Sequence, residues 1–249
     1  MTAGLDRSGF LGGRLQIWQP VAGYRAGTDP VLLAAAVRAE PGQSVLELGL
    51  GAGVASLCLG VRVPGLSLTG IEVQPDYARL ARRNAAENHI PLEVIEADIA
   101  APPPEVRQRS FDQVIANPPF FAAKGRSAAA DAGRETARGE CVPLAVWVAQ
   151  ALKRLRPGGA LTMIQAASRL GDLLRALPAG GVTAIPLAGR AGRDADRVIL
   201  RCRKDGRAAL RLTAPLVLHD GALHLRDGDD YAPWASACLR DGAALPEPG

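Results

Sequence analysis

The sequence predicts an α/β protein with a mostly parallel seven-stranded sheet and helices on both faces. From Ser44 onward, short apolar runs alternate with amphipathic stretches of helical period. Strands that alternate with helices form right-handed crossover units, and such units build parallel sheets. Two further strand-like runs lie close together near the C-terminus, which predicts an antiparallel hairpin at one end of the sheet.

The elements can be assigned in order along the chain. In AGTDPVLLAAAVRAE, Asp29 is a suitable N-cap and Pro30 suits the first helical position, so we expect a helix before PGQ. The next four predicted strands are SVLELG, LSLTGIEV, PLEVIEADI and FDQVIAN. The predicted helix VASLCLGVRV follows the first of them, and the predicted helix PDYARLARRNAAEN follows the second. The helix LAVWVAQALKRLR and the strand PGGALTMIQA follow, and VTAIPLAG with RVILRCRK supplies the hairpin.

Length and composition favour one domain of an ordinary globular protein. The chain has 249 residues, 48% of them hydrophobic and 22% charged. We expect an N-terminal segment over residues 1–43 that covers the site, a core over 44–203 and a C-terminal extension over 204–249. No apolar run approaches a membrane span and the N-terminus lacks a signal-peptide core, so we expect a cytoplasmic protein without a membrane partner.

Cysteine spacing and net charge give weaker indications. The four cysteines lie far apart without metal-ligand spacing, and His219 and His224 are unsuited to share an ion, so we expect no metal. The net charge of +4, carried mostly by arginine, suits a phosphate-rich partner such as RNA. A biased codon composition would explain the arginines equally well.

The segment VLELGLGAGVASL places a glycine-rich turn between a strand and a helix. Glycines let the backbone approach a ligand beneath a helix N-terminus. Val54 occupies the sixth position of GxGxxG, which argues against a dinucleotide-binding oxidoreductase. Glu72 ends the next strand, about 20 residues past the turn, where a carboxylate can bind ribose hydroxyls. The pattern therefore predicts a ligand-binding turn with an acid placed beside it.

The segment IANPPFF ends the fourth strand with two prolines. Proline cannot donate to a sheet ladder, so we expect the strand to stop at Asn117 and the prolines to rigidify a turn at the carboxyl edge of the sheet. There the Asn117 side-chain oxygen and the Pro118 carbonyl can accept hydrogen bonds from an exocyclic amine. Phe120 offers a face for stacking a base.

These two motifs resemble those of class I S-adenosylmethionine-dependent methyltransferases. ExGxGxG resembles their motif I, and NPPF resembles the (N/D)PP(Y/F/W) motif of enzymes that methylate amino groups. The resemblance spans about residues 42 to 165 and implies a Rossmann-like fold, with Asp98 beside the adenine ring. It implies S-adenosylmethionine as cofactor, held by Glu47, Gly49, Gly51, Gly53, Glu72, Asp98, Asn117, Thr28 and Asp29. The catalytic turn would be Asn117, Pro118, Pro119 and Phe120.

A narrower resemblance concerns the N-terminal segment GYRAGTDPVLLAAA. It is similar to the segment that opens the bacterial valine-tRNA adenine-N6 methyltransferase family, which also carries NPP with two aromatics and an Ala-Arg pair such as Ala137 and Arg138. That family implies methylation of an adenosine N6 in a tRNA anticodon loop. The substrate-binding residues would then be Phe120, Phe121, Arg25, Arg126 and Arg138.

Enzymes that act on other methyl acceptors also carry this motif, so those acceptors remain alternatives. A guanine-N2 methyltransferase of ribosomal RNA carries NPPF but often has an additional domain. A glutamine-N5 methyltransferase of release factors uses NPPY but has a helical domain before motif I, for which about 43 residues leave too little room. A noncatalytic RNA-binding module would have no use for a methyl-donor pocket.

Overall fold

The computed structural model describes residues 4–119, 142–178, 180–221 and 230–247. It begins with an antiparallel hairpin of β1 (Leu5–Phe10) and β2 (Leu15–Pro20), joined by a 3-10 turn at Leu11–Gly13. This hairpin forms a small sheet of its own beside the central sheet.

The central sheet contains seven longer strands in the order β5-β4-β3-β6-β7-β9-β8. Their bounds are β3 (Ser44–Leu48), β4 (Ser67–Glu72), β5 (Leu92–Glu96), β6 (Phe111–Ala116), β7 (Leu155–Ala166), β8 (Val182–Ala188) and β9 (Ala195–Arg203). Strands β3 to β7 pair in parallel, and β9 runs antiparallel to both β7 and β8. The predicted sheet and hairpin are therefore confirmed. Two short strands, β10 (Arg211–Leu212) and β11 (Leu216–Val217), extend it along β8.

Helices cover both faces of this sheet. They are α1 (Asp29–Ala36), α2 (Val54–Arg62), α3 (Pro75–Glu87), α4 (Pro104–Arg107), α5 (Leu144–Arg154), α6 (Leu170–Ala176) and α7 (Pro233–Ser236), which continues as a π-helical turn to Asp241. One apolar cluster joins the first three helices to the sheet, and a second cluster joins α5 and α6 to its other face. Alternate residues of β3 serve the two clusters, Val45 on one side and Leu46 on the other.

Asn84 of α3 and Asn88, which directly follows that helix, attach the N-terminal hairpin to the core. The Asn88 carboxamide accepts from the Gln16 N–H at 2.9 Å and donates to the Gln16 carbonyl at 2.8 Å. Asn84 makes the same pair of bonds with Trp18, at 2.8 and 3.1 Å. The two side chains are one helical turn apart and bond alternate residues of β2, so they act as a partner strand for its free edge.

Several predicted boundaries need correction. Asp29 is the first residue of α1 and not its N-cap, because its carboxylate bonds Arg197 of β9 at 3.1 Å instead of a helical N–H. Strand β5 ends at Glu96, so Asp98 lies two residues beyond it. The RPGG sequence belongs to β7, which already pairs with β6 at Leu155 and contains an irregularity there.

No helix in the described ranges is long and apolar enough to cross a membrane.

Candidate active site

The glycine turn and the NPP turn begin at neighbouring strand ends. Strands β3 and β6 are adjacent and parallel, and their last paired residues are Leu48 and Ala116. The next residues along each strand are Gly49 and Asn117. Adjacent strands lie about 4.8 Å apart, so the two turns leave the sheet side by side at its carboxyl edge. This is the edge at which open parallel sheets bind ligands.

Left-handed backbone conformations shape the glycine turn. The φ values of Gly49, Gly51 and Gly53 are 69°, 56° and 87°, which residues with a Cβ atom rarely adopt. A Cβ on Gly49 would lie 2.5 Å from the ring of Trp147 in α5, whereas one on Gly51 would find its nearest neighbour, Tyr24, at 3.9 Å. The turn is thus packed tightly against α5 at its start and is roomier near Gly51.

Glu72 connects the glycine turn to the end of β4. Its side chain is 5% exposed, and its carboxylate accepts from the Gly51 N–H at 2.7 Å and from the Gln74 N–H at 2.9 Å. Burial raises the pKa of this carboxyl, and the backbone bonds oppose the shift. Because a carboxylate has about four acceptor positions, Glu72 retains capacity for ligand hydroxyls.

Glu47 lies beneath the turn and contacts the first turn of α2. It is 3% exposed, and Oε2 accepts from the Ser56 N–H at 3.0 Å and from the Ser56 hydroxyl at 2.5 Å. Burial raises its pKa to about 8, with a further small contribution from the charge of Glu72. The structure therefore shows Glu47 supporting the helix N-terminus below the glycines.

Asp98 lies on the surface beyond β5, where its Oδ1 accepts from the Ala100 N–H at 2.8 Å. This bond holds a tight turn at the same edge of the sheet as Glu72.

The site residues predicted in the N-terminal segment lie at the start of α1 and beside the N-terminal hairpin. Thr28 is exposed at the start of α1, and Asp29 joins that helix to Arg197, which pairs with Ala166 across β7 and β9. Arg25 instead donates to Asp6 and Ser8 of the hairpin at 2.8 and 2.9 Å. Its guanidinium thus serves to fix the chain leading into α1.

The NPP turn contacts a buried glutamine that sequence reasoning missed. Pro118 is buried, and its carbonyl accepts a hydrogen bond from Gln165 Nε2 of β7 at 3.3 Å. A polar residue at the end of the apolar run ALTMIQ was the available signal. Phe120, Phe121, Arg126 and Arg138 lie outside the described residues, so their predicted roles stay predictions.

The charges around the glycine turn suit a cationic nucleoside. Burial raises the pKa of both Glu47 and Glu72, and the charge of Glu72 adds to the shift of Glu47, so a positively charged ligand would offset part of the cost of ionising them. S-adenosylmethionine carries a sulfonium and an ammonium group together with ribose hydroxyls. Within the described part of the chain, no group of three or more His, Cys, Asp or Glu residues could hold a metal ion.

A sheet of this strand order, with a glycine turn and an NPP turn at adjacent strand ends, is the scaffold of the class I S-adenosylmethionine-dependent methyltransferases. Residues 26–174 match the family model described as the methyltransferase small domain, and this chain belongs to that family.

Individual relatives agree with this assignment. A tRNA1(Val) (adenine(37)-N6)-methyltransferase of Porphyromonas gingivalis is 36% identical over 169 residues, which are 64% of this chain and 66% of that relative. A protein of the same description from Actinobacillus succinogenes is 30% identical over 203 residues, which cover 80% of this chain and 84% of the relative.

Solved structures share the fold. A predicted O-methyltransferase of Agrobacterium tumefaciens has a TM-score of 0.70 and 25% identity, covering 87% of this chain and 97% of its own. A 16S rRNA N2-guanine methyltransferase of Thermus thermophilus has a TM-score of 0.58 and 18% identity, with 81% of this chain and 50% of that one covered.

Proposed function

We propose that this protein transfers a methyl group from S-adenosylmethionine to the exocyclic N6 amine of an adenosine in tRNA. The observation that carries the proposal is the placement of Asn117 and Pro118 directly after β6, beside the glycine turn that follows the adjacent strand β3. A donor held by that turn would present its methyl group to an acceptor held by the NPP segment.

The names of the relatives favour adenine over other acceptors. They describe methylation of adenine 37 N6 in a valine tRNA. An unpaired anticodon-loop base can be moved out of its stack at a cost of a few kcal/mol, so such a target suits an open edge of the sheet. A tRNA acceptor would place the activity in the cytoplasm.

The proposed chemistry needs positioning more than a strong base. S-adenosylmethionine supplies an electrophilic methyl group on sulfur. The adenine amine is a poor nucleophile because its lone pair is delocalised into the ring. Asn117 Oδ1 and the Pro118 carbonyl would each accept one N–H of the amine, which favours a more tetrahedral nitrogen and directs its lone pair at the methyl group. As the nitrogen–carbon bond forms, the carbon–sulfur bond would break and S-adenosylhomocysteine would leave as a neutral thioether. The methylated nitrogen would carry a positive charge and lose a proton readily to solvent.

The remaining predicted residues would complete this site. In this site Glu72 would bind the ribose hydroxyls of the cofactor, and Asp98 would lie near its adenine ring. Thr28 and Asp29 would lie over the bound cofactor. Phe120 and Phe121 would stack on the acceptor base, while Arg126 and Arg138 would meet phosphates of the RNA.

The test is transfer of labelled methyl from S-adenosylmethionine to RNA from cells that lack this protein, followed by nucleoside mass spectrometry. Label in N6-methyladenosine within the tRNA fraction is the expected result. Label in N2-methylguanosine would mean that the protein methylates an amine of guanine instead of adenine. Label only in added protein would mean that the acceptor is a glutamine side chain. Either of these outcomes would overturn the proposed substrate.

A further inference from the structure

Gln165 joins the two strands of the reaction centre at the point where their ladder has ended. The last backbone pair of β6 and β7 is Ala116 with Met163. Two residues further along each strand, the Gln165 carboxamide donates from Nε2 to the Pro118 carbonyl at 3.3 Å. Its Oε1 accepts from the Ala166 N–H at 2.8 Å. One side chain thus lies between a backbone donor of β7 and a backbone acceptor of the NPP turn.

This bridge has a clear physical reason. Pro118 and Pro119 have no N–H, so the NPP turn cannot continue the ladder by itself. Gln165 is 0% exposed, and an unpaired carboxamide there would cost stability. Both ends of the amide are bonded instead, which fixes its orientation and with it the position of the Pro118 carbonyl.

The hydrogen bond from Gln165 also limits how many further donors the Pro118 carbonyl can accept. A carbonyl oxygen has two lone pairs, and Gln165 uses one of them. Among the residues that the structure describes, Gln165 is the side chain that donates to this carbonyl, so we expect the other lone pair to serve an acceptor amine.

We infer that Gln165 is a positioning residue for the methyl acceptor. It acts through Pro118, by holding that carbonyl where it accepts one N–H of the amine, and it makes no contact with the cofactor in this role. The inference rests on the proposed function, because it requires that the NPP turn binds the reacting amine.

Two substitutions separate positioning from simple packing. Gln165→Met keeps the volume of the side chain and removes both hydrogen bonds. Gln165→Glu keeps the shape, but its ionised form cannot donate to Pro118, whereas its protonated form can. Gln113→Met is the matched control, because Gln113 is also buried, lies in β6, and bonds Arg38 and Gln43 at the opposite end of the strand.

We expect Gln165→Met to lower kcat about 10- to 100-fold, since small displacements of a reacting group cost rates of this order. The affinity for S-adenosylmethionine, measured by calorimetry, should remain close to that of the unaltered protein. Gln113→Met should lose stability and keep kcat. For Gln165→Glu, activity relative to the unaltered protein should rise as pH falls, because protonation restores the donor. An unchanged kcat in Gln165→Met, or a Gln165→Glu activity that falls relative to the unaltered protein as pH falls, would overturn the inference.

The bridge is testable without any acceptor, by hydrogen exchange of the Ala166 amide. Gln165→Met should accelerate this exchange, and equal rates in both proteins would show that the bridge does not form. If the unaltered protein methylates guanine or glutamine instead of adenine, the proposed substrate fails. The same kcat and pH comparisons on that acceptor then decide the role of Gln165 separately.

Discussion

The Glu72 carboxylate accepts a hydrogen bond from the backbone N–H of Gly51 at 2.7 Å. This contact joins the end of β4 to the turn that leaves β3, so two features that lie 21 residues apart in sequence form one rigid unit. Its second oxygen is held by Gln74. A ribose would therefore meet an acid whose orientation is set before binding, which reduces the entropy lost on binding.

The first prediction concerns this acid. Glu72→Gln should weaken S-adenosylmethionine binding about 10- to 100-fold, because hydrogen bonds to a charged group contribute about 1.5–3 kcal/mol and a carboxamide can satisfy only one of the two N–H donors. Isothermal titration calorimetry measures the change. Glu96→Gln, at the exposed end of the neighbouring strand β5, is the control and should leave the affinity unchanged. Equal losses of affinity in both variants would show that Glu72 has no specific role in binding the cofactor.

The second prediction separates catalysis from cofactor binding at Asn117. Asn117→Ala should reduce single-turnover transfer about 100- to 1000-fold, the usual cost of removing one preorganised polar group at a reaction centre. The affinity for S-adenosylmethionine should stay within a few fold, because the side chain is proposed to bind the acceptor amine. A large loss of cofactor affinity instead would mean that Asn117 supports the donor.

The third prediction concerns Asn84, which is 0% exposed and ties the hairpin to the glycine turn. Its Nδ2 donates to the carbonyls of Trp18 and Ala52, and Ala52 belongs to the turn itself. Asn84→Ala leaves these groups unpaired and should lower the free energy of unfolding by about 2–4 kcal/mol, since each buried orphan costs about 1–3 kcal/mol. Urea denaturation measures the loss.

The control for this variant is Asn88→Ala, one helical turn away. Asn88 bonds the hairpin at Gln16 and contributes no bond to the glycine turn. We expect Asn88→Ala to loosen the hairpin without weakening S-adenosylmethionine binding, and Asn84→Ala to do both. If neither variant changes cofactor affinity, the link between the hairpin and the turn has no effect on binding.

The regular elements were predictable because their signals are local. SVLELG and FDQVIAN are apolar runs bounded by turn residues, and the strands follow them to within one residue, Ser44–Leu48 and Phe111–Ala116. The N-terminal hairpin of β1 and β2 was not predicted, because the free edge of β2 is satisfied by Asn84 and Asn88, which lie far away in sequence. The short alternation of buried Leu15 and Ile17 in β2 was the available signal, but its partner β1 is mostly exposed and adds none.

The candidate site was predictable to a different extent. The turns that contain Gly49, Glu72 and Asn117 have sequence patterns of their own, and the parallel order of the sheet brings them together. Gln165 had no such pattern, because its role depends on the register between β6 and β7. Asp29 was misassigned for a similar reason, since its partner Arg197 is 168 residues away.

The fourth prediction is a pH dependence of stability caused by Glu47. Burial raises its pKa to about 8 in the folded protein, whereas an unfolded glutamate titrates near about 4.3. Between these values the folded state holds a proton that the unfolded state has lost, so the contribution of Glu47 to stability falls as pH rises. Glu47→Gln should remove this slope. Urea denaturation between about pH 5 and pH 8 tests it, and parallel pH profiles for the two proteins would contradict the assignment.

The last prediction concerns Leu50, the large residue in the middle of the glycine turn. Leu50 is buried, and a Cβ added at Gly70 of β4 would lie 2.6 Å from both of its methyl carbons. The absence of a side chain at Gly70 therefore makes room for the leucine. Gly70→Ala should destabilise the protein by about 1–3 kcal/mol through overpacking, and Leu50→Ala by about 2–5 kcal/mol through a cavity.

A double-mutant cycle tests whether the two positions share this space. When Leu50→Ala and Gly70→Ala are combined, the new methyl group enters the cavity left by the leucine, so the double variant should lose less stability than the sum of the single losses. The coupling should reach about 1 kcal/mol or more in urea denaturation, the range typical of residues in contact. Gly70→Ala combined with Leu245→Ala, a buried leucine of the C-terminal segment beside α1, should be additive. Additivity in the first pair would mean that the leucine moves aside without cost.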